Sequence, residues 1–183
     1  MSMRRPTEPR LTPLDPLTLD EETRRYAPVG SLNIFRTLAH HPKLLKRWSV
    51  FGNHVLSKST LPAREREIVI LRIGWRCQAE YEFGQHTVIG LREGLTEAEI
   101  AALTRDPADY PWSAADRTLV EACDELHDEQ CISDITWAAL KETWSDRQVV
   151  DLIFAAGQYT LVSMALNSLG VQLDDGVPGW PGE

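Results

Sequence analysis

Read for the spacing of its apolar positions, the chain gives helical periods almost throughout and no convincing alternating strand. Helices are predicted near 31–40, 42–57, 62–78, 80–93, 97–104, 114–128, 134–143 and 146–169. Their ends carry physical marks. Pro62 sits in a first turn, where its missing N–H had no helical partner anyway. Thr96 with Glu99, and Ser145 with Gln148, have the spacing of capping boxes, in which side chain and backbone at a helix start bond each other reciprocally. Leu95 and Ile100 are placed as the hydrophobic staple of the first. Gly94 and Gly170 stand where a left-handed residue closes a helix. Asp106 through Pro111 reads as the one internal loop. The expected fold is an all-α, single-domain helical bundle.

The two ends break this pattern. Residues 1–19 contain Pro6, Pro9, Pro13 and Pro16, which forbid regular helix and favour an extended arm. Leu11, Leu14, Leu17 and Leu19 make it an arm that docks, on its own domain or on a neighbouring subunit. Residues 174–183 form a Gly/Pro-rich tail that cannot be helical, which leaves 20–173 as the folded domain. With 19 Lys and Arg against 27 Asp and Glu, the net charge is −8. That balance lacks the basic footprint of a nucleic-acid binder and is repelled by anionic lipid. No run of about 18 apolar residues is expected to span a bilayer. The N-terminal residues hold no apolar core of a secretory signal. Cys77, Cys123 and Cys131 form no CxxC pair, and reduced thiols in a cytoplasm are the simplest expectation.

Candidate chemistry concentrates between residues 60 and 93. From Glu67, the helical offsets of three, four and seven reach Ile70, Leu71 and Gly74, so Glu67 shares an apolar face while Arg64, Glu65 and Arg66 take flanking positions. A carboxylate on such a face resists ionisation and suits a general acid or base near neutrality. Equally, it is a partner for Arg64 or Arg72, or an exposed charge on an early turn. On the next helix Glu82 and His86 are four apart and project from one side, beside a core-like stripe of Tyr81, Gly84, Val88 and Leu91. A carboxylate there fixes the tautomer of a proton-transferring imidazole; the plain alternative is a helix-surface pair. His40 and His41, just before Pro42, read as structural, and His54 and His127 as surface residues. One imidazole and two carboxylates suffice in type for a metal, but no metal-binding spacing is present, so no metal is expected.

The run RERE-IVILR at 64–72, then AEYEFGQH at 79–86 and GLTEAEI at 94–100, resembles the carboxymuconolactone decarboxylase-like family, which shares its fold with the alkylhydroperoxidase D proteins. The likeness is strongest over residues 60–103 and extends to NIFRTLAHHPKLLKRW upstream and NSLGV downstream. It implies an all-helical homo-oligomer, a trimer or hexamer, with the pocket near Glu67, Glu82 and His86. The peroxidase branch has a C-x-x-C-x-x-x-H motif; aligned on His86, its cysteine positions fall on Ala79 and Glu82, so both thiols are missing. Peroxidase chemistry is therefore disfavoured. The decarboxylase branch implies loss of carbon dioxide from a carboxylated lactone in aromatic degradation, without a cofactor. In that reading His86 donates the proton, Glu82 orients it, Glu67 is a second acid/base, and Arg72 and Tyr81 bind substrate. The chain is longer than the decarboxylases of that branch, which points to a different small carbonyl or lactone compound. A non-catalytic oligomeric binding protein is the other alternative.

Overall fold

Side-chain caps and apolar spacing set where the helices begin. The computed structural model describes residues 5–182; residues 1–4 of the arm and residue 183 of the tail lie outside the described residues. Those described form nine α-helices: α1 (Glu21–Arg24), α2 (Asn33–Leu38), α3 (Pro42–Ser57), α4 (Ala63–Arg76), α5 (Glu80–Arg92), α6 (Glu97–Ala102), α7 (Ala114–Asp128), α8 (Asp134–Thr143) and α9 (Asp146–Leu169). Both capping boxes are made, at Thr96–Glu99 and at Ser145–Gln148. Gly170 closes α9 in the left-handed conformation, φ 67°. Residues 21–24, expected as chain outside a helix, form the single turn α1 because the Asp20 carboxylate accepts from Thr23 N–H. His41 caps rather than ends a helix: its Nδ1 accepts from Leu44 N–H at the start of α3.

At the centre lies α4, whose residues 67–74 are all buried, among them Ile68, Val69, Ile70, Leu71 and Ile73. It packs against α5, α7 and α9. A helix buried on every face is held by packing rather than by propensity. By length and composition α9 suffices to cross a membrane, contrary to the sequence expectation. Half of it is buried in the bundle, where Leu152, Ala155, Tyr159 and Val162 join the core. The opposite stripe, Val150, Phe154, Leu161 and Met164, is exposed. Val88 and Leu91, expected with the core, are also exposed; only the Tyr81–Gly84 end of that stripe is covered.

Both termini lie across the bundle. In the arm, Arg10 and Leu11 N–H donate to Leu169 O, and Leu14 N–H donates to Arg36 O. His40 reaches Thr12 O at 2.9 Å. The tail carries Trp180 against Trp75 and Phe83, with ring centroids 5.2 and 5.1 Å apart. Its backbone crosses α5 at Gly84 so closely that a Cβ there would collide with Pro178 O. Because the obstacle is backbone, relief requires the tail to move. Gly84→Ala is therefore expected to cost about 1–3 kcal/mol, read by urea denaturation, and to alter Trp180 emission as the tail lifts. Unchanged stability and fluorescence would show that the tail is not seated there.

Candidate active site

An antiparallel pair of helices, α4 and α5, brings the acid and the imidazole together. Cys77, Gln78 and Ala79 join them, with Gln78 in the left-handed region at φ 51°. Further along, Gly90 lets α5 lie against α4: a Cβ there would meet Leu71 Cδ1 at 3.3 Å and Glu67 Cβ at 3.8 Å. The result is a buried row. His86 Nδ1 lies 2.6 Å from Glu67 Oε2, and His86 Nε2 lies 3.1 Å from Glu82 Oε1. Glu67 is wholly inaccessible, while Glu82 and His86 retain 4% and 5% exposure. Arg66 closes the far end by donating to Glu67 Oε1.

Burial alone would push the imidazole down, but the facing carboxylates of Glu67 and then Glu82 outweigh it and carry His86 up to about 9. At neutral pH it is thus an imidazolium that donates from Nδ1 to Glu67 and forms an ion pair through Nε2 with Glu82. Among the described residues, no group of three or more His, Cys, Asp and Glu is arranged to hold a metal ion, and both imidazole nitrogens already face carboxylates.

A cavity of about 360 Å³ opens beside this row. Glu82 and His86 line it; Glu67 does not. Its other walls include Phe35 from α2, Trp48 from α3, and Gln158 and Tyr159 from α9. Tyr159 packs edge-on to the His86 ring, with centroids 4.9 Å apart. Burial, then the charges of Glu82 and Glu67, hold its phenol well above the ordinary range, so it remains protonated at neutral pH.

Several expected roles change with this geometry. The tight, sealed contact to His86 is made by Glu67, whereas Glu82 is the carboxylate that faces the cavity. Neither Arg64 nor Arg72 pairs with Glu67; Arg64 binds Asp116, Glu65 and Glu99 instead. Arg72 is not a substrate anchor. Its guanidinium donates to both Asp124 oxygens, at 2.7 and 2.6 Å, and to the carbonyls of Leu103 and Arg105, away from the cavity. Tyr81 lines the cavity, but its hydroxyl donates to Asp174 Oδ2 at 2.6 Å. His54 lies off this cavity, and His127 faces Asp128. Missed from the sequence were Asp174, which also accepts from Gln85 and from Asn33 N–H, and the pair Gln158–Tyr159. The polar cluster Gln158-Tyr159-Thr160 within the mostly apolar α9 is the signal that marks that pair.

Two outcomes follow from the buried charges. In the unfolded chain an imidazole has its ordinary value of 6.5, below the folded value of about 9. The stabilisation from charging His86 is therefore complete below pH 6.5 and lost as pH rises through about 9. Thermal melts should fall across that window for the wild type and stay flatter for His86→Gln. Arg72→Ala strands Asp124 and two carbonyls, and is expected to cost about 3–5 kcal/mol in chemical denaturation.

Residues 42–125 match the carboxymuconolactone decarboxylase family. No curated protein matches the sequence. Among solved structures, an uncharacterized peroxidase-related protein from Ralstonia eutropha JMP134, described as an alkylhydroperoxidase AhpD core, superposes with a TM-score of 0.82 at 17% identity, over 91% of this chain and 93% of that one. A peroxidase-related protein from Silicibacter sp. TM1040 gives 0.78 at 17% identity, over 98% and 99%. The debrominase Bmp8, as a cysteine-to-alanine variant in complex with 2,3,4-tribromopyrrole, gives 0.77 at 12% identity, over 92% and 94%. At these identities the likeness establishes the all-α AhpD-like fold. Together with the sequence match over residues 42–125, it supports a carboxymuconolactone decarboxylase/AhpD-like family for this chain.

Proposed function

We propose that the chain is an acid/base enzyme that moves a proton at a carbon conjugated to the carbonyl of a small ketone or lactone. The observation that carries this reading is the carboxylate–imidazolium pair on the cavity wall, Glu82 and His86, with a second carboxylate sealed behind it. Glu82 removes the proton from carbon, and the electron pair moves into the carbonyl. Once Glu82 carries that proton, His86 gives its Nε2 proton to the resulting enolate, at oxygen or at the far carbon, and takes the proton from Glu82 in return. Glu67 keeps the ring fixed through this exchange, so that little reorganisation accompanies the charge movement. No cofactor is required, because the conjugated carbonyl is itself the electron sink. In the decarboxylating variant the carbon–carbon bond breaks instead, carbon dioxide leaves, and His86 returns a proton to carbon.

A thiol peroxidase reading lacks comparable support. Cys77, Cys123 and Cys131 are all off the cavity wall, and burial pushes the Cys77 and Cys123 thiols up, away from the reactive thiolate.

The test is exchange of deuterium from heavy water into an unsaturated γ-lactone and into carboxymuconolactone, followed by NMR. Glu82→Gln and His86→Ala are each expected to lower the rate by about 10²–10⁴-fold, as for loss of a positioned acid or base. Wild-type rates in both variants would remove the pair from the mechanism.

A further inference from the structure

The hydrogen-bonding groups left unused in the cavity indicate what it binds. Gln158 is only 6% exposed, yet among the described residues its carboxamide bonds no protein group. Its nitrogen lies over Gly52 of α3, which has no side chain to cover it. Tyr159, 5% exposed, likewise has no partner for its hydroxyl among the described residues. Both polar side chains line the cavity rather than being sealed in the core, so two neighbours on one wall without a protein partner point to a ligand that bonds them.

The charged donors, by contrast, are spoken for. Both N–H groups of His86 are directed at Glu67 and Glu82. The Gln85 amide donates to Asp174. Arg25 stands at the mouth, 70% exposed and paired with Glu21, where its charge is well screened. What remains facing the interior is the Glu82 carboxylate, paired with the His86 imidazolium, and neutral donors. An anion entering there meets the Glu82 carboxylate and finds no buried cation with an N–H to spare.

Resting on the reading of this cavity as the active site, we infer that it takes an uncharged, flat ring compound bearing a carbonyl, and that it discriminates against carboxylates. The carbonyl oxygen accepts from Gln158 and Tyr159, and the ring lies against the Phe35–Trp48 pair, whose own rings pack 5.8 Å apart. Because Tyr159 stays protonated at neutral pH, its hydroxyl remains a donor. The chemistry that fits such a substrate is proton transfer along a conjugated ketone or lactone rather than loss of carbon dioxide.

Calorimetric titration with two probes of nearly equal shape, acetophenone and benzoate, tests this near neutral pH. Acetophenone should bind at least about ten-fold more tightly. Gln158→Met, which keeps the volume and removes the donors, should weaken acetophenone about ten-fold, and Glu82→Gln should narrow the gap by strengthening benzoate. Circular dichroism and melting temperature confirm that each variant folds. Benzoate binding as tightly as acetophenone, no effect of Gln158→Met, or binding of neither probe would overturn the inference. Turnover is read separately. Discrimination between the probes without deuterium exchange would sink the acid/base reading and leave the ligand class standing. Turnover of a carboxylated lactone bound as tightly as its neutral counterpart would do the reverse.

Discussion

One buried ion row, Glu67–His86–Glu82, constrains the rest of the molecule. Two carboxylates cannot be taken from water into a helical core unless a cation stands between them. The imidazole can do this because its two nitrogens face opposite ways, 2.6 Å from one acid and 3.1 Å from the other. The same arrangement makes the site asymmetric. Glu67 is sealed and tied to Arg66, whereas Glu82 meets the cavity. The row thus holds a fixed positive ring between one buried acid and one that meets the cavity.

The fold serves that row. Glycine at position 90 lets α5 close on α4, while α9 supplies the aromatic edge at Tyr159 that holds the imidazole from the side. The tail contributes through Asp174, which ties Tyr81 and Gln85 on α5 to the start of α2. Parts of the chain distant in sequence thus fix the walls of one cavity. The family match spans 42–125 and includes Glu67, Glu82 and His86; Phe35, Gln158 and Tyr159, which also shape the cavity, lie outside it.

Helix placement was legible because caps and spacing are local. The residues of α3, α7, α8 and α9 fall where the pattern puts them, since proline, serine and glycine act within a turn or two. Glu67 and His86 were legible as candidates from their faces, but their mutual contact was not, for it depends on how two helices pack. Arg72 shows the limit most clearly. An arginine on a buried face reads equally well as an anchor or as an internal ion pair, and only the position of Asp124, 52 residues away, decides it. Asp174 sits in a Gly/Pro-rich stretch with no local pattern to mark it. The apolar character of α9 is ambiguous in another way: a core helix and a bilayer span share that composition, and half of this helix is buried in the bundle.

The most direct measurement is a titration of the His86 ring nitrogens by nitrogen-15 NMR. If the row governs the site, both nitrogens are protonated at neutral pH and the ring loses its proton near 9. A neutral imidazole at neutral pH, titrating at or below its ordinary 6.5, would contradict the account at its centre.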